Sequence, residues 1–249
     1  MILGIDVGNT NIVIVGIDNG MITFSERCKT DLENISELFQ RVSDKSFEGS
    51  ILSSVVPSVN NQIIQTVRKD FGIDPVVVDA TLNMNIYLPE KVRKEIGADI
   101  IAGLVAAYDK YAGPLAVVDM GTATTIFALN NKGELVGGII HPGIEIELNA
   151  LSTKTAQLPQ ISKIEIPERI LGQDTSECIR SGVFYGHAGL IDSFIYNFEK
   201  EMDTHLTVIL TGGLGRYITR FFNHEVIYDE ALLEKGLEYL YEHNKKSGA

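Results

Sequence analysis

The sequence contains no tryptophan and only two cysteines, Cys28 and Cys178. Two thiols so far apart make neither a disulfide framework nor a thiolate metal cluster, and they read as reduced cysteines of a cytoplasmic protein. Basic residues are scarce too: 21 Lys and Arg stand against 33 Asp and Glu, a formal charge of −12. A surface of that sign repels phosphate backbones and anionic headgroups, so neither nucleic acid nor a membrane surface is expected as a partner. No apolar run is long enough to cross a bilayer, and the strand-like opening Met1–Ile5 lacks the basic region and apolar core of a signal peptide. The five histidines fall in no metal-ligand spacing, which argues against a zinc site. There is no Gly-x-x-x-x-Gly-Lys-Ser/Thr loop and no Gly-x-Gly-x-x-Gly after a strand, which excludes the Walker and Rossmann classes on spacing.

What the chain does have is ordinary globular chemistry and a repeat. With 249 residues, 45% of them apolar and 22% charged, it can bury one large core or two smaller ones without staples. Asp6-Val-Gly8-Asn-Thr10-Asn-Ile-Val13 lies between apolar strands and runs on to a turn at Asp18-Asn19-Gly20. Asp119-Met-Gly121-Thr122-Ala-Thr124-Thr125-Ile126 does the same and reaches a turn at Asn131-Lys132-Gly133. One constant offset aligns Asp6 with Asp119, Gly8 with Gly121 and Gly20 with Gly133. Two related halves are therefore expected, residues 1–113 and 114–249, divided at Gly113-Pro114.

Each half opens on β-branched strands: 2–5, 12–17 and 21–25 in the first, 115–118, 125–129 and 135–140 in the second. Helical stripes follow at 32–42, 58–71 and 98–111, with strands at 50–55 and 75–79 between them. A long helix is predicted over 175–202, with a break near Gly186 and Gly189. A strand at 206–210 feeds Thr211-Gly212-Gly213, and a helix at 230–243 closes the chain. Strands alternating with helices in both halves define an α/β architecture.

Three loops can hold phosphate. In Asp6-x-Gly8-Asn9-Thr10, a tight glycine turn lets backbone N–H groups approach phosphate oxygens, and Asp6 can hold magnesium. Turn-forming residues alone would give the same string in a plain hairpin. The second copy, with Thr122, Thr124 and Thr125, and the third loop at Thr211–Gly215 favour a nucleotide site. Gly97-Ala98-Asp99 offers a base for an acceptor hydroxyl, although Asp99 in the first turn of a helix also complements the helix dipole. His141 reads as a loop histidine and His187 as a packed or solvated one.

These strings, in this order, resemble the acetate and sugar kinase, heat-shock chaperone and actin superfamily. Within it, Asp6-Val-Gly-Asn-Thr-Asn, Gly97-Ala-Asp99, Asp119-Met-Gly-Thr-Ala-Thr-Thr125, Gly137-Gly-Ile-Ile-His-Pro-Gly143 and Thr211-Gly-Gly213 resemble those of type III pantothenate kinases. The likeness spans essentially the whole chain. It implies two related ribonuclease-H-like (actin-like ATPase) domains with an interdomain nucleotide cleft, and ATP-dependent phosphorylation of pantothenate, the first step toward coenzyme A. On that likeness Asp6, Val7, Gly8, Asn9, Thr10, Asn11, Ile12 and Val13, with Thr122, Gly212 and Gly213, would bind ATP, Asp6 reaching toward Mg2+. Asp119 would lie near a monovalent cation, K+ or NH4+. Tyr87, Gly97, Ala98, Asp99 and Ile100 would line the pantothenate site, with Asp99 as the catalytic base. Thr175 would reach pantothenate from the partner subunit of a homodimer with a shared active site.

Two departures fall on the acceptor side. Family members usually carry Arg directly after the catalytic Asp; here Ile100 removes that planar five-donor cation. The usual Tyr-x-Asn-Pro segment is replaced by Tyr87-Leu88-Pro89, at a longer spacing to Gly97. The alternatives are a kinase for another small hydroxylated acceptor and a non-catalytic nucleotide-binding regulator.

Overall fold

A computed structural model describes residues 1–161 and 164–245. The chain forms two compact units, Met1–Lys110 together with the segment from Ala231 onward, and Tyr111–Glu230.

Unit 1 is built on a five-stranded sheet in the order β3-β2-β1-β4-β5. β1 (Ile2–Val7), β2 (Asn11–Asp18) and β3 (Met21–Lys29) form an antiparallel meander, and β4 (Gly49–Ser54) and β5 (Val76–Val77) add in parallel. The meander needs only tight turns; the parallel strands need crossovers, which α1 (Leu32–Gln40) and α2 (Pro57–Phe71) supply. α1 starts where the Asp31 carboxylate accepts the Glu33 N–H, and α2 has proline in its first turn and left-handed Gly72 at its end. Ile35, Leu38 and Phe39 of α1 and Val59, Ile63 and Val67 of α2 meet Leu3, Ile5, Val7, Ile12 and Ile14 in one core. α3 (Glu90–Arg93) is a single turn leading into α4 (Ala98–Tyr111), whose apolar residues are almost wholly buried.

Unit 2 repeats the plan. β6 (Leu115–Met120), β7 (Ala123–Leu129) and β8 (Leu135–Pro142) form the meander, β9 (Thr207–Thr211) and β10 (Val226–Tyr228) add in parallel, and the order is β10-β9-β6-β7-β8. Its crossover carries α5 (Ile144–Lys154) and α6 (Thr175–Met202); the short α7 (Gly215–Ile218) and a 3-10 turn at Thr219–Phe221 follow β9. Ile179, Val183, Phe184, Ala188, Ile191 and Ile195 of α6 pack on Ala116, Val118, Val208 and Leu210.

Two expectations change. α6 is continuous through Gly186 and Gly189, because both lie on its exposed face, where an added side chain would meet nothing within 4 Å among the described residues, while the buried stripe carries the helix past them. The closing helix, α8 (Leu232–Asn244), packs within unit 1 rather than extending the second half to 249. Gly236 brings it onto the Ala102 carbonyl of α4, and Glu238 accepts the Gly20 N–H at 2.8 Å.

Candidate active site

The two aspartates that anchor the sequence repeat occupy one register position in their sheets. Asp6 pairs with Val13 on β2 and Ser53 on β4; Asp119 pairs with Thr125 on β7 and Thr211 on β9. Each therefore stands near the carboxyl end of a strand with an antiparallel neighbour on one side and a parallel one on the other. In open α/β sheets the carboxyl ends of the strands are where ligands collect.

In unit 1, Asp6 accepts the hydroxyl of buried Ser53 at 3.1 Å. The turn beyond it is closed by the Gly8 N–H bonding the Asn11 carbonyl at 3.0 Å. Thr30 braces it from outside: its hydroxyl donates to the Gly8 carbonyl at 2.7 Å and its N–H to the Thr10 carbonyl at 3.0 Å. Asn9 and Thr10 are exposed, so the turn is held at its base and offered at its tip. Val7, Ile12 and the inward part of β2 serve the core instead.

The Gly97–Ile100 segment lies at the same end of this sheet. Val55, one residue past β4, donates its N–H to the Val7 carbonyl, and the Cβ position of Gly97 is 3.4 Å from the Val55 side chain. Asp99 is half-buried in the first turn of α4, where its carboxylate accepts the Ile100 N–H at 2.8 Å. A side chain at Gly97 would strike that carboxylate, so the glycine keeps it accessible. Burial raises the Asp99 pKa above the ordinary carboxylate value, partly offset by hydrogen bonds from the backbone of Ile100 and of Asp99 itself. Ala98 is buried. Tyr87 is 55% exposed between buried Ile86 and Leu88, and the Arg93 guanidinium lies 5.7 Å from its ring centre.

In unit 2 the loops after β6 and β9 emerge side by side. Gly121 closes its turn on the Ala123 carbonyl at 3.1 Å, and Gly143 donates to the Thr122 carbonyl at 3.1 Å, leaving the Thr122 side of the loop exposed. Gly212 has φ +90, and its missing side chain would lie 2.5 Å from the Met120 carbonyl oxygen. Only glycine allows that conformation at that approach. The Tyr228 hydroxyl donates to the Gly212 carbonyl at 3.3 Å, fixing the third loop against β10. Thr175 is exposed at the start of α6, just after Asp174, whose carboxylate caps the helix by accepting the Glu177 N–H.

Within unit 1 the structure thus brings Asp6–Val13 and Gly97–Ile100 to one end of a sheet, and within unit 2 it brings Asp119–Thr122 and Gly212–Gly213 together. Ser53 and Thr30 were not singled out in the sequence. Ser53 and Thr211 hold matching registers only in the folded sheets, beyond the reach of the sequence offset, and Thr30 has no counterpart signal. His141 lies in β8 opposite Thr124 rather than in a loop, and His187 is fully buried.

This duplicated strand order with paired Asp-x-Gly turns is the two-lobed actin-like ATPase fold. Solved structures of that fold match over nearly the whole chain. A Baf family transcriptional activator from Campylobacter jejuni gives a TM-score of 0.63 at 21% identity, covering 97% of this chain and 98% of that one. A ROK family glucokinase from Streptomyces griseus, solved with glucose and AMPPNP, gives 0.56 at 11% identity, covering 96% and 97%. The family is fixed by sequence: the model for type III pantothenate kinase matches residues 2–197. Type III pantothenate kinases of Exiguobacterium sp. and Syntrophobacter fumaroxidans are 37% and 35% identical, each across 99% of this chain and the full length of the relative. The chain belongs to the type III pantothenate kinase family.

Proposed function

We propose that the protein transfers the γ-phosphoryl group of ATP to the primary hydroxyl of pantothenate, with Asp99 as general base. The observation that carries the base assignment is the Asp99 carboxylate: half-buried, raised in pKa by desolvation, and kept approachable by Gly97. A base works best when its pKa approaches the operating pH, and burial moves Asp99 in that direction.

The residues fit MgATP. The Asp6 carboxylate beside the Ser53 hydroxyl is an oxygen set suited to a hard divalent ion. The exposed Asn9-Thr10 tip, the exposed Thr122 turn and the glycine pair Gly212-Gly213 let a phosphate or ribose approach the backbone closely. Mg2+ held there would supply charge neutralisation during phosphoryl transfer. Asp99 accepts the proton of the pantothenate hydroxyl as that oxygen bonds to the γ-phosphorus and the bond to the ADP oxygen breaks. Asp119, in register between Thr125 and Thr211, offers an oxygen neighbourhood suited to K+ or NH4+. Exposed Thr175, following Ile170 and Leu171 at 62% and 79% exposure, supports a homodimer in which Thr175 completes the partner's acceptor site.

The test is ADP release with MgATP and KCl, with and without pantothenate, and the product identified by mass. Pantothenate-dependent formation of 4′-phosphopantothenate, lost when Na+ replaces K+, is the expected result. A second reading, a different hydroxylated acceptor, is favoured by Ile100 alone. It would be supported by ATP binding without pantothenate-dependent turnover.

A further inference from the structure

Histidines that have no ligand spacing in the sequence come together in the fold. His141 at the end of β8, Glu147 in the first turn of α5 and His187 midway along α6 place their ligand atoms within 4.8 Å of one another. Glu147 Oε1 is 3.0 Å from His187 Nδ1 and 3.3 Å from His141 Nδ1. The two rings meet edge-on at 5.7 Å between centres. The two separations from Glu147 are close to the edge, about 3.3 Å, of a tetrahedron whose metal–ligand bonds are about 2.0–2.1 Å, and the imidazole nitrogens lie within 4.8 Å of each other.

At His187 the surroundings match what such a centre needs, whereas His141 Nδ1 also lies 2.9 Å from the Pro142 carbonyl and must give up that bond to ligate a metal. His187 Nε2 lies 2.8 Å from the hydroxyl of buried Thr124. With a metal on Nδ1, Nε2 carries the proton and donates to Thr124, the outer hydrogen bond that fixes tautomer and ring orientation in ligating imidazoles. The His187 side chain is 0% exposed, whereas those of Glu147 and His141 are 22% and 28% exposed. The cluster is closed at its back and open at its front.

We propose that His141, Glu147 and His187 form a three-ligand site for a divalent transition-metal ion of the zinc class, with the fourth position open to water or an exogenous ligand. Two imidazoles and one carboxylate suit zinc, cobalt or nickel and disfavour magnesium, so the site is chemically distinct from the one proposed for MgATP. It ties β8, α5 and α6 together directly beside Gly143, which braces the Thr122 turn. The competing arrangement is a metal-free relay in which His187 Nδ1–H donates to Glu147 and Nε2 accepts the Thr124 hydroxyl.

The experiment is calorimetric titration of Zn2+ into the full-length, tag-free, metal-stripped chain, with excess Mg2+ present and Cys28 and Cys178 replaced by Ser. Co2+ substitution, followed by its visible ligand-field bands, is the spectroscopic companion. His141→Ala and Glu147→Gln are the test variants, because both positions are partly exposed; far-UV circular dichroism verifies their fold. The proposal expects one Zn2+ per chain, tetrahedral-type Co2+ bands, and a Zn2+-dependent rise in melting temperature. It expects both variants to bind Zn2+ at least about tenfold more weakly and to lose the Co2+ bands. Failure to bind stoichiometrically, or equal affinity in the parent and both folded variants, overturns it and leaves the hydrogen-bonded relay.

Discussion

At Asp99, the burial that raises the carboxyl pKa also acts on folding. A carboxyl whose folded pKa exceeds its unfolded one favours the folded state when protonated, and that advantage is lost as pH rises through the folded value. Above it, the ionised group costs stability. Asp99→Asn removes the charge and keeps the shape. Turnover is expected to fall about 10²–10⁴-fold, in the range of lost general base catalysis. MgATP affinity should change little, and melting temperature at neutral pH should stay level or rise. Steady-state kinetics, nucleotide titration and a thermal melt check the three parts; near-normal turnover would remove Asp99 from the base role. In the parent enzyme, the acidic limb of kcat should lie above the usual carboxylate range for the same reason.

Among the elements, α6 has the largest structural task in unit 2, and one of its residues shows how it is fastened. Burial would raise the Asp192 carboxyl. Backbone N–H donors from Asn223 and His224 at 2.7 and 3.1 Å, with their side chains at 2.9 and 2.8 Å, outweigh burial and hold its pKa below the ordinary value. These bonds pin the segment between the 3-10 turn and β10 onto α6. A carboxylate with a lowered folded pKa stabilises fully above its unfolded value, about 3.9, and stops doing so as pH falls through the folded one. Asp192→Asn is expected to destabilise the protein by about 1–3 kcal/mol at pH 7, the scale of charge-assisted hydrogen bonds. The difference from the parent should close toward pH 3. Denaturant unfolding at several pH values decides it, and a difference independent of pH would mean that packing, not ionisation, holds the segment. α6 also shows where pattern reading fails: exposed glycines looked like a break, but a helix this well buried on its other face tolerates them at about 1 kcal/mol each.

For the whole molecule, the proposed partner-shared site gives a sharp prediction. If Thr175 of one subunit completes the site that holds Asp99 of the other, Asp99→Asn and Thr175→Ala dimers are each impaired in every site. Subunits exchanged between the two form heterodimers with one intact site. Mixing and exchange should therefore restore up to about half the parental turnover per heterodimer, because one of its two sites is whole. No recovery, with exchange verified by mass, would place Asp99 and Thr175 in the same subunit's site or remove Thr175 from it. The chain path carries a second lesson at this scale. The expected division ran from 114 to the end, yet α8 returns to unit 1, where Gly236 meets α4 and the Tyr241 hydroxyl reaches the Glu48 carbonyl at 3.5 Å. A helix pattern records that one face is buried, not which sheet buries it.

The sequence by itself determined the duplicated meander, the Asp-x-Gly turns, the glycine loop after β9, the Asp99 segment and the family, because each is written in neighbouring residues whose spacing follows strand, turn or helix geometry. Features that depend on residues far apart in the chain emerge with the packed fold. Ser53 meets Asp6 across 47 positions, and His187 meets Glu147 across 40. Parallel pairing and helix docking create such contacts, and neither leaves a local periodicity to read. The burial that tunes Asp99 and Asp192 belongs there as well, since desolvation is a property of the packed surroundings and not of the residue.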